Sequence, residues 1–144
     1  MKYEKKCGKN DMRIMIDTNI LISIYLFPTP VMLKLVDTIT EKHATVLPSY
    51  VIDELKTVIK RKFPAKYQFL DAFLMELPFE YTYTVEKVDA NKYPNIRDKK
   101  DLPVLVSAIT GDVDILITGD KDFFDVEIEK PEILTPTQFL EKYS

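Results

Sequence analysis

The stretch "DLPVLVSAITGDVDILITGDKD", residues 101–122, contains an acid, an apolar helix pattern, a turn, a strand and two more acids. Its first ten residues have apolar side chains at helical spacing, and Gly111 stands where a helix C-cap belongs. The run "DILIT", residues 114–118, has the pattern of a buried strand. The stretch therefore predicts a helix followed by a strand, with Asp120 and Asp122 just beyond the carboxyl end of that strand.

The rest of the chain alternates short apolar strands with amphipathic helices. Further strands are predicted at residues 14–16, 44–47, 81–86 and 132–135. Helices are predicted at residues 30–41, 49–62, 65–77 and 136–142, and a polar loop at 89–100. This alternation predicts a single α/β domain, residues 12–144, with a mostly parallel sheet and a disordered polar tail before it, residues 1–11. The aromatic residues Tyr67, Phe69 and Phe73 of the third helix are interpreted as core.

The composition excludes several classes of protein. With 144 residues, 46% hydrophobic and 30% charged, the chain fits a soluble globular domain. Its net charge of -3 counts against a dedicated DNA-binding module, but not against an enzyme that meets nucleic acid at one site. Cys7 is the one cysteine and His43 the one histidine, which excludes an internal disulfide and sites built on several Cys or His ligands. No apolar run resembles a membrane span or a secretion signal, so we expect a cytoplasmic protein.

Acidic and polar side chains follow two of the predicted strands. Asp17 and Asn19 come directly after the strand at 14–16, and Asp120 follows the strand at 114–118. In parallel α/β sheets, ligands bind beyond the carboxyl ends of the strands. Each acid could instead cap a helix, and for Asp120 and Asp122 the local pattern favours the N-cap interpretation.

Two helices offer further acids. On a helical wheel of residues 49–62, Glu54 lies beside the apolar stripe, whereas Asp53 falls on the opposite, solvated face. Asp101 projects from the middle of the apolar face of its own helix, although it could also be an N-cap, and Asp98 stands one turn earlier. Four elements thus each bring one acid toward one place: Asp17, Glu54, Asp101 and Asp120.

Four carboxylates in one partly buried pocket repel each other, so either some stay protonated or cations fill the space. Oxygen ligands without Cys or His favour hard cations, Mg²⁺ or Mn²⁺. Such a site predicts metal-dependent phosphodiester hydrolysis. Thr18 and Asn19 would support the ligands or contact a phosphate, or they would simply cap a turn.

The motifs resemble one known family. The matching segments are "IMIDTNILIS", "LPSYVIDELKTVI", "DKKDLPVLVSAITGDVDILITGDKDF" and "ILTPTQFL", which together span residues 12–142. They resemble the PIN-domain nucleases, particularly the VapC-like toxin ribonucleases of prokaryotic toxin–antitoxin systems. The resemblance implies a three-layer α/β/α fold with a parallel sheet of about five strands. It also implies an acidic site that binds Mg²⁺ or Mn²⁺ and cleaves single-stranded RNA.

Carried over by position, the resemblance assigns the catalytic and metal-binding roles to the same four acids, with Asp98 and Asp122 as weaker candidates. It also implies a homodimer and a small antitoxin partner. The basic residues that flank the expected cleft could hold RNA phosphates, or each could be a solvated surface charge. They are Lys56, Lys60, Arg97 and Lys121, with Arg61, Lys99 and Lys100 nearby.

Other functions fit the residues less well. A phosphatase of the haloacid-dehalogenase type needs an aspartate where Asn19 stands. A receiver domain needs an aspartate at the end of a central strand, and the candidate strand 81–86 ends in Glu86. The remaining alternative is a catalytically inactive PIN-fold module that binds RNA or protein. The presence of all four acids argues against it.

Overall fold

The structure, a computed structural model, describes residues 11–85 and 87–144. Within them, five parallel strands form one sheet in the order β3-β2-β1-β4-β5. The strands are β1 (Arg13–Ile16), β2 (Ala44–Pro48), β3 (Glu80–Thr82), β4 (Ile115–Ile117) and β5 (Glu132–Leu134). The helices are α1 (Thr18–Leu26), α2 (Pro30–Lys42), α3 (Ser49–Lys62), α4 (Pro64–Tyr67), α5 (Leu70–Glu76), α6 (Leu102–Thr110), α7 (Lys121–Phe124) and α8 (Pro136–Tyr143). The predicted α/β fold with a central parallel sheet is confirmed.

The core forms around β1. Ile14, Met15 and Ile16 are at most 1% exposed, although successive side chains of a strand point to opposite faces of the sheet. Helices must therefore cover both faces, as in the predicted three-layer arrangement. Helix α2 packs against α8, and α3 packs against α1 and α6.

The order of the strands reverses at β1. From β1 the chain passes to β2 and β3 on one side, and later returns to β4 and β5 on the other. Ile14 accordingly pairs with Thr45 in β2 and with Ile115 in β4. Such a switch point leaves a crevice beyond the carboxyl ends of the two central strands. Asp17 and Thr118 are the residues that follow β1 and β4 at this crevice.

Helix α1 was not among the predicted elements. Asp17 is its N-cap, and Ile20, Leu21 and Ile24 form its buried face. The apolar run at residues 20–22 is too short for its periodicity to distinguish a helix from a strand. The polar triplet of residues 17–19 is thus a strand end that turns directly into a helix.

The prediction of one helix at residues 65–77 is wrong. Helix α4 ends at Tyr67 and α5 begins at Leu70. At the break, the Lys66 carbonyl accepts hydrogen bonds from the Tyr25 hydroxyl at 2.6 Å and from the Phe69 N–H at 3.2 Å. The core assignment fails with it, because Tyr67 is exposed and Phe69 is 56% exposed. Phe73 does pack against the core.

Two other elements differ in extent from their predictions. Strand β3 ends at Thr82, and Thr84 bonds to the start of α3 instead of extending the strand. Glu86, the predicted end of that strand, lies outside the described residues, as does the predicted tail apart from Asp11. The predicted loop at 89–100 contains 3₁₀ turns at Ala90–Lys92 and Lys99–Asp101.

Among the described residues, no single helix combines the length and hydropathy that crossing a membrane requires. Helices α1 and α2 meet that requirement only as a pair, and they are bent by 114° relative to each other.

Candidate active site

Asp17 lies at the centre of the crevice and is held in one position. It is 7% exposed, and its backbone N–H donates to the Ile117 carbonyl at 2.9 Å. One carboxylate oxygen accepts from the Thr18 N–H and the other from the Thr118 hydroxyl, both at 2.8 Å. Burial raises the pKa of Asp17, these two hydrogen bonds lower it, and the nearby charges of Glu54 and Asp120 raise it.

Thr118 links the ends of the two central strands. Besides donating to Asp17, its hydroxyl oxygen accepts from the Asp120 N–H at 3.1 Å, and the side chain is fully buried. Asp120 in turn is the N-cap of α7, where its carboxylate accepts from the Asp122 N–H at 2.9 Å. The predicted cap is therefore present, and the same residue lies beside the other acids.

Asp101 has the largest pKa shift among the acids of the crevice. Its pKa is raised to about 7, first by burial and then by the neighbouring carboxylates of Asp120, Asp98 and Asp17. Its Oδ2 atom is buried and has no hydrogen-bond partner among the described residues. A buried acceptor left unpaired is costly, so this oxygen is suited to an external partner.

Asp98 and Asp122 also approach Asp101. One oxygen from each of the three carboxylates lies within 4.8 Å of the others. Both oxygens of Asp122 are taken, however, because Arg97 donates from Nε at 2.7 Å and from Nη2 at 3.1 Å. Asp98 accepts from the Lys100 N–H at 3.0 Å and is otherwise exposed. Arg97 thus neutralises Asp122, while Asp101 keeps an unpaired oxygen.

Glu54 approaches the crevice from α3. It is half-buried whereas Asp53 is exposed, as the helical wheel predicts. Glu54 is close enough for its charge to raise the pKa of both Asp17 and Tyr50. The crevice thus brings Asp17, Asp101 and Asp120 together, with Glu54 at its side.

A family model described as the PIN domain matches residues 13–122, which is most of the chain. The chain belongs to the PIN-domain family. The resemblance to the PIN-domain family is therefore confirmed, and the roles that it assigns to the four acids stay predictions.

A solved structure supports the same fold for this PIN domain. The crystal structure of VapBC2 from Rickettsia felis shows VapBC2 bound to a DNA fragment from its own promoter. One chain of that structure superposes on this chain with a TM-score of 0.66. The two chains are 21% identical, and the match covers 85% of this chain and 97% of that one. A comparison with curated protein sequences gives no match.

The donor atoms of the PIN-domain crevice fit a hard divalent cation. All of them are carboxylate oxygens, and their mutual repulsion adds to the effect of burial in raising the pKa of Asp101. The buried Oδ2 of Asp101, which has no partner among the described residues, adds an acceptor that a cation could satisfy. Asp17, Glu54, Asp101 and Asp120 are the residues that could hold the cation, with Asp98 at the edge.

The other residues predicted for the site have mixed surroundings. The Thr18 hydroxyl is buried without a partner among the described residues, and Asn19 is exposed. Among the predicted RNA contacts, Arg97 is paired with Asp122, and the Lys60 ammonium lies 5.6 Å from the ring centre of Tyr67. Lys121 is exposed and Lys56 is half-buried, and neither has an ion pair among the described residues.

Two residues of the crevice escaped the sequence analysis. Thr118 shows one sequence signal, since it is the polar residue that ends an apolar strand beside "GD". Tyr50 shows none, because its place follows from the packing of α3 against the turn before α6. Its hydroxyl donates to the Lys100 carbonyl at 3.2 Å, and burial followed by the charges of Glu54 and Asp101 raises its pKa.

Proposed function

We propose that the protein is a Mg²⁺- or Mn²⁺-dependent endoribonuclease that hydrolyses phosphodiester bonds of single-stranded RNA. The observation that carries the proposal is Asp101, whose buried Oδ2 lies in the midst of other carboxylates and has no partner in the part of the chain that the structure describes. A site with this much unbalanced negative charge suits a cation better than it suits a neutral ligand. Membership of the PIN-domain family supports a nuclease, since that is the activity that the resemblance implies.

Four acids would hold the cation: Asp17, Glu54, Asp101 and Asp120. When bound, a divalent cation activates water for in-line attack on the phosphorus and stabilises the leaving oxygen. In the overall reaction, one P–O ester bond breaks, the oxygen of water bonds to phosphorus, and the leaving oxygen takes a proton.

The protein's own contribution is a prearranged set of acceptors. Thr18 and Thr118 hold the two oxygens of Asp17, so this carboxylate needs no reorientation to receive a ligand. The same Thr118 hydroxyl holds the backbone of Asp120 beside it. Arg97 keeps the charge of Asp122 paired, which limits the repulsion that Asp101 must bear.

We further propose that this ribonuclease is the toxin of a cytoplasmic toxin–antitoxin pair. The resemblance to toxin ribonucleases implies a homodimer and an antitoxin protein that blocks the site. The structural similarity to a chain of a VapBC2 complex agrees with this proposal. Co-expression with the protein encoded beside it, followed by copurification and a cleavage assay, would test the pair.

The proposed activity is tested by incubating the purified protein with single-stranded RNAs of mixed sequence in Mg²⁺, Mn²⁺ or chelator. We expect cleavage only with metal. Asp101→Asn should lose more than the roughly 10–100-fold that supporting residues of metal sites cost. Asp71→Asn removes an exposed carboxylate of α5 and serves as the matched control. Equal cleavage in chelator, or by Asp101→Asn, would overturn the proposal.

A further inference from the structure

A groove of about 320 Å³ runs beside the acidic crevice, between the start of α3 and the segment after β3. The side chains along it include Tyr50, Tyr83, Val85, Pro103 and Asp53. Its volume matches the lower end of the range, about 300 Å³ and above, found for small-molecule sites. Its lining is mixed: two tyrosines, Val85 and Pro103 contribute aromatic and apolar surface, and Ser49, Thr84 and the carboxylate of Asp53 contribute polar groups.

Tyr83 is the most unusual of these side chains. It is 82% exposed although it is large and aromatic. Its ring meets that of Tyr81 edge to face, with 5.2 Å between the centroids, and this contact leaves most of its surface open. An aromatic side chain this exposed adds little to the core, and its place beside a proposed active site favours contact with a ligand.

Hydrogen bonds fix the two sides of the groove relative to each other. The Thr84 hydroxyl accepts from the Tyr50 N–H at 3.0 Å, and the Thr84 N–H donates to the Ser49 hydroxyl at 2.9 Å. The Ser107 hydroxyl of α6 lies 3.0 Å from the hydroxyl of Thr84. The backbone that carries Tyr50 and Tyr83 is therefore anchored to α3 and α6, so the protein would lose little conformational entropy when a ligand binds there.

Tyr50 joins the groove to the acidic crevice. It lines the groove on one side, and on the other it borders a second cavity together with Glu54. Its hydroxyl bonds to the carbonyl of Lys100, the residue before Asp101. A ligand in the groove would therefore contact Tyr50, which is close enough to Glu54, Asp101 and Asp17 for their charges to raise its pKa.

The chemistry of the groove selects the kind of ligand. Asp53 is exposed at its edge and would repel a phosphate, whereas it can accept hydrogen bonds from N–H groups. A nucleobase combines a flat aromatic face with N–H groups at its edge, and bases stack on aromatic side chains regardless of sequence. We infer that this groove binds one base of the RNA, stacked on Tyr83, next to the phosphodiester held at the acidic crevice. This inference rests on the proposed function.

Binding and cleavage of a short fluorescent single-stranded RNA test the inference. Tyr83→Ala should weaken binding, and raise KM at nearly constant kcat, by roughly 5- to 100-fold, the loss expected for one stacked base. Tyr83→Phe keeps the ring, so its RNA binding and KM should stay close to those of the unmutated protein. Phe69→Ala removes an exposed aromatic side chain that does not line the groove, and should leave both unchanged.

Abasic RNAs sharpen the test. Replacing one base at a time by an abasic site should weaken binding at one position to the extent that Tyr83→Ala does. At that position the two changes together should cost no more than either alone. Additive losses at every position, unchanged binding by Tyr83→Ala, or failure of Tyr83→Phe to restore it would each overturn the inference.

The outcomes separate this inference from the proposed function. Metal-dependent cleavage that is insensitive to Tyr83→Ala would overturn base binding in the groove and leave the proposed nuclease activity intact. Binding that depends on Tyr83 without any cleavage would support base binding in the groove and overturn the proposed nuclease activity. Failure to bind single-stranded RNA at all would overturn base binding in the groove.

Discussion

Thr118 donates its hydroxyl hydrogen to Oδ2 of Asp17 at 2.8 Å, across the junction between β4 and β1. The hydroxyl oxygen of Thr118 accepts from the Asp120 N–H, so one buried hydroxyl sets the positions of two acids that are far apart in sequence. Because the strand order reverses here, a side chain at the end of β4 reaches the residue that follows β1. Thr118 thus acts through Asp17 and Asp120 as a positioning residue.

We predict that Thr118→Val lowers the free energy of unfolding by about 1–3 kcal/mol, because Asp17 and the Asp120 N–H each lose a buried partner. It should weaken Mn²⁺ binding by about 10–100-fold, as is typical of residues that support metal ligands. Thermal unfolding in chelator and calorimetric titration with Mn²⁺ measure the two effects. Thr118→Ser should keep most of both properties.

Thr110→Val is the matched control for Thr118→Val. Among the residues at 11–85 and 87–144, its hydroxyl bonds only to the Val106 carbonyl within α6. The residue is exposed, so the loss of this hydroxyl should change little. If Thr118→Val bound Mn²⁺ as tightly as the unmutated protein does, the Thr118 hydroxyl would have no part in arranging the acids.

The raised pKa of Asp101 predicts a pH dependence of stability in chelator. Its pKa is about 7 in the folded protein against an ordinary value of 3.8, so between these values the native state holds a proton that the unfolded chain releases. This contribution is fully present below about pH 4 and is lost as the pH rises through about 7. The pKa of Asp17, raised mainly by burial, acts in the same direction. Because Asp101 is partly solvated, the effect should be modest.

Asp101→Asn should remove part of this dependence. Its unfolding free energy relative to the unmutated protein should increase from pH 4 to pH 8 in chelator, as measured by denaturant titration at each pH. Asp71→Asn should follow the unmutated profile. Parallel profiles for Asp101→Asn and the unmutated protein would show that folding does not raise the pKa of Asp101.

The sequence was sufficient to predict the strands and acids that follow from local patterns. The run at 14–16 and "DILIT" are too apolar for exposed loops, and in a parallel α/β sheet both must end at the ligand-binding edge. That topological rule places Asp17 and Asp120 at the same edge of the sheet. The helical wheel likewise separated half-buried Glu54 from exposed Asp53.

Other features depend on tertiary contacts that no local pattern records. The break between α4 and α5 is stabilised by the Tyr25 hydroxyl, which is 41 residues away from Lys66. The pair of Arg97 and Asp122 spans 25 residues and joins a loop to a helix. From local sequence, Arg97 is either a candidate contact for RNA phosphates or a solvated surface charge, whereas the fold gives its guanidinium a carboxylate partner.

We predict that Arg97→Ala lowers the melting temperature in chelator. The Asp122 side chain is 9% exposed, and without Arg97 its charge would lie unpaired beside Asp98 and Asp101. Millimolar Mn²⁺ should restore part of the loss, because a cation would then balance the carboxylates. Arg97→Lys should be intermediate, since an ammonium cannot make the bidentate pair.

Arg61→Ala is the control for Arg97→Ala, because Arg61 is an exposed arginine with no ion pair among the described residues. Equal melting temperatures for Arg97→Ala and Arg61→Ala in chelator would contradict the prediction, because solvent alone would then stabilise the negative charge of Asp122.

Metal should stabilise the unmutated protein, and this stabilisation should depend on the carboxylate of Asp17. At a Mn²⁺ concentration of 100 times Kd, mass action contributes about 2.7 kcal/mol, which raises the melting temperature by roughly 5–10 °C for a chain of this size. Asp17→Asn should abolish both this rise and RNA cleavage.

In chelator, the melting temperature of Asp17→Asn should be unchanged or higher, because the amide removes one of the crowded charges while keeping an oxygen acceptor. Asp17→Ala, which removes the N-cap of α1, should instead cost about 1 kcal/mol. Equal losses in chelator for Asp17→Asn and Asp17→Ala would show that the carboxylate serves the helix and not a cation.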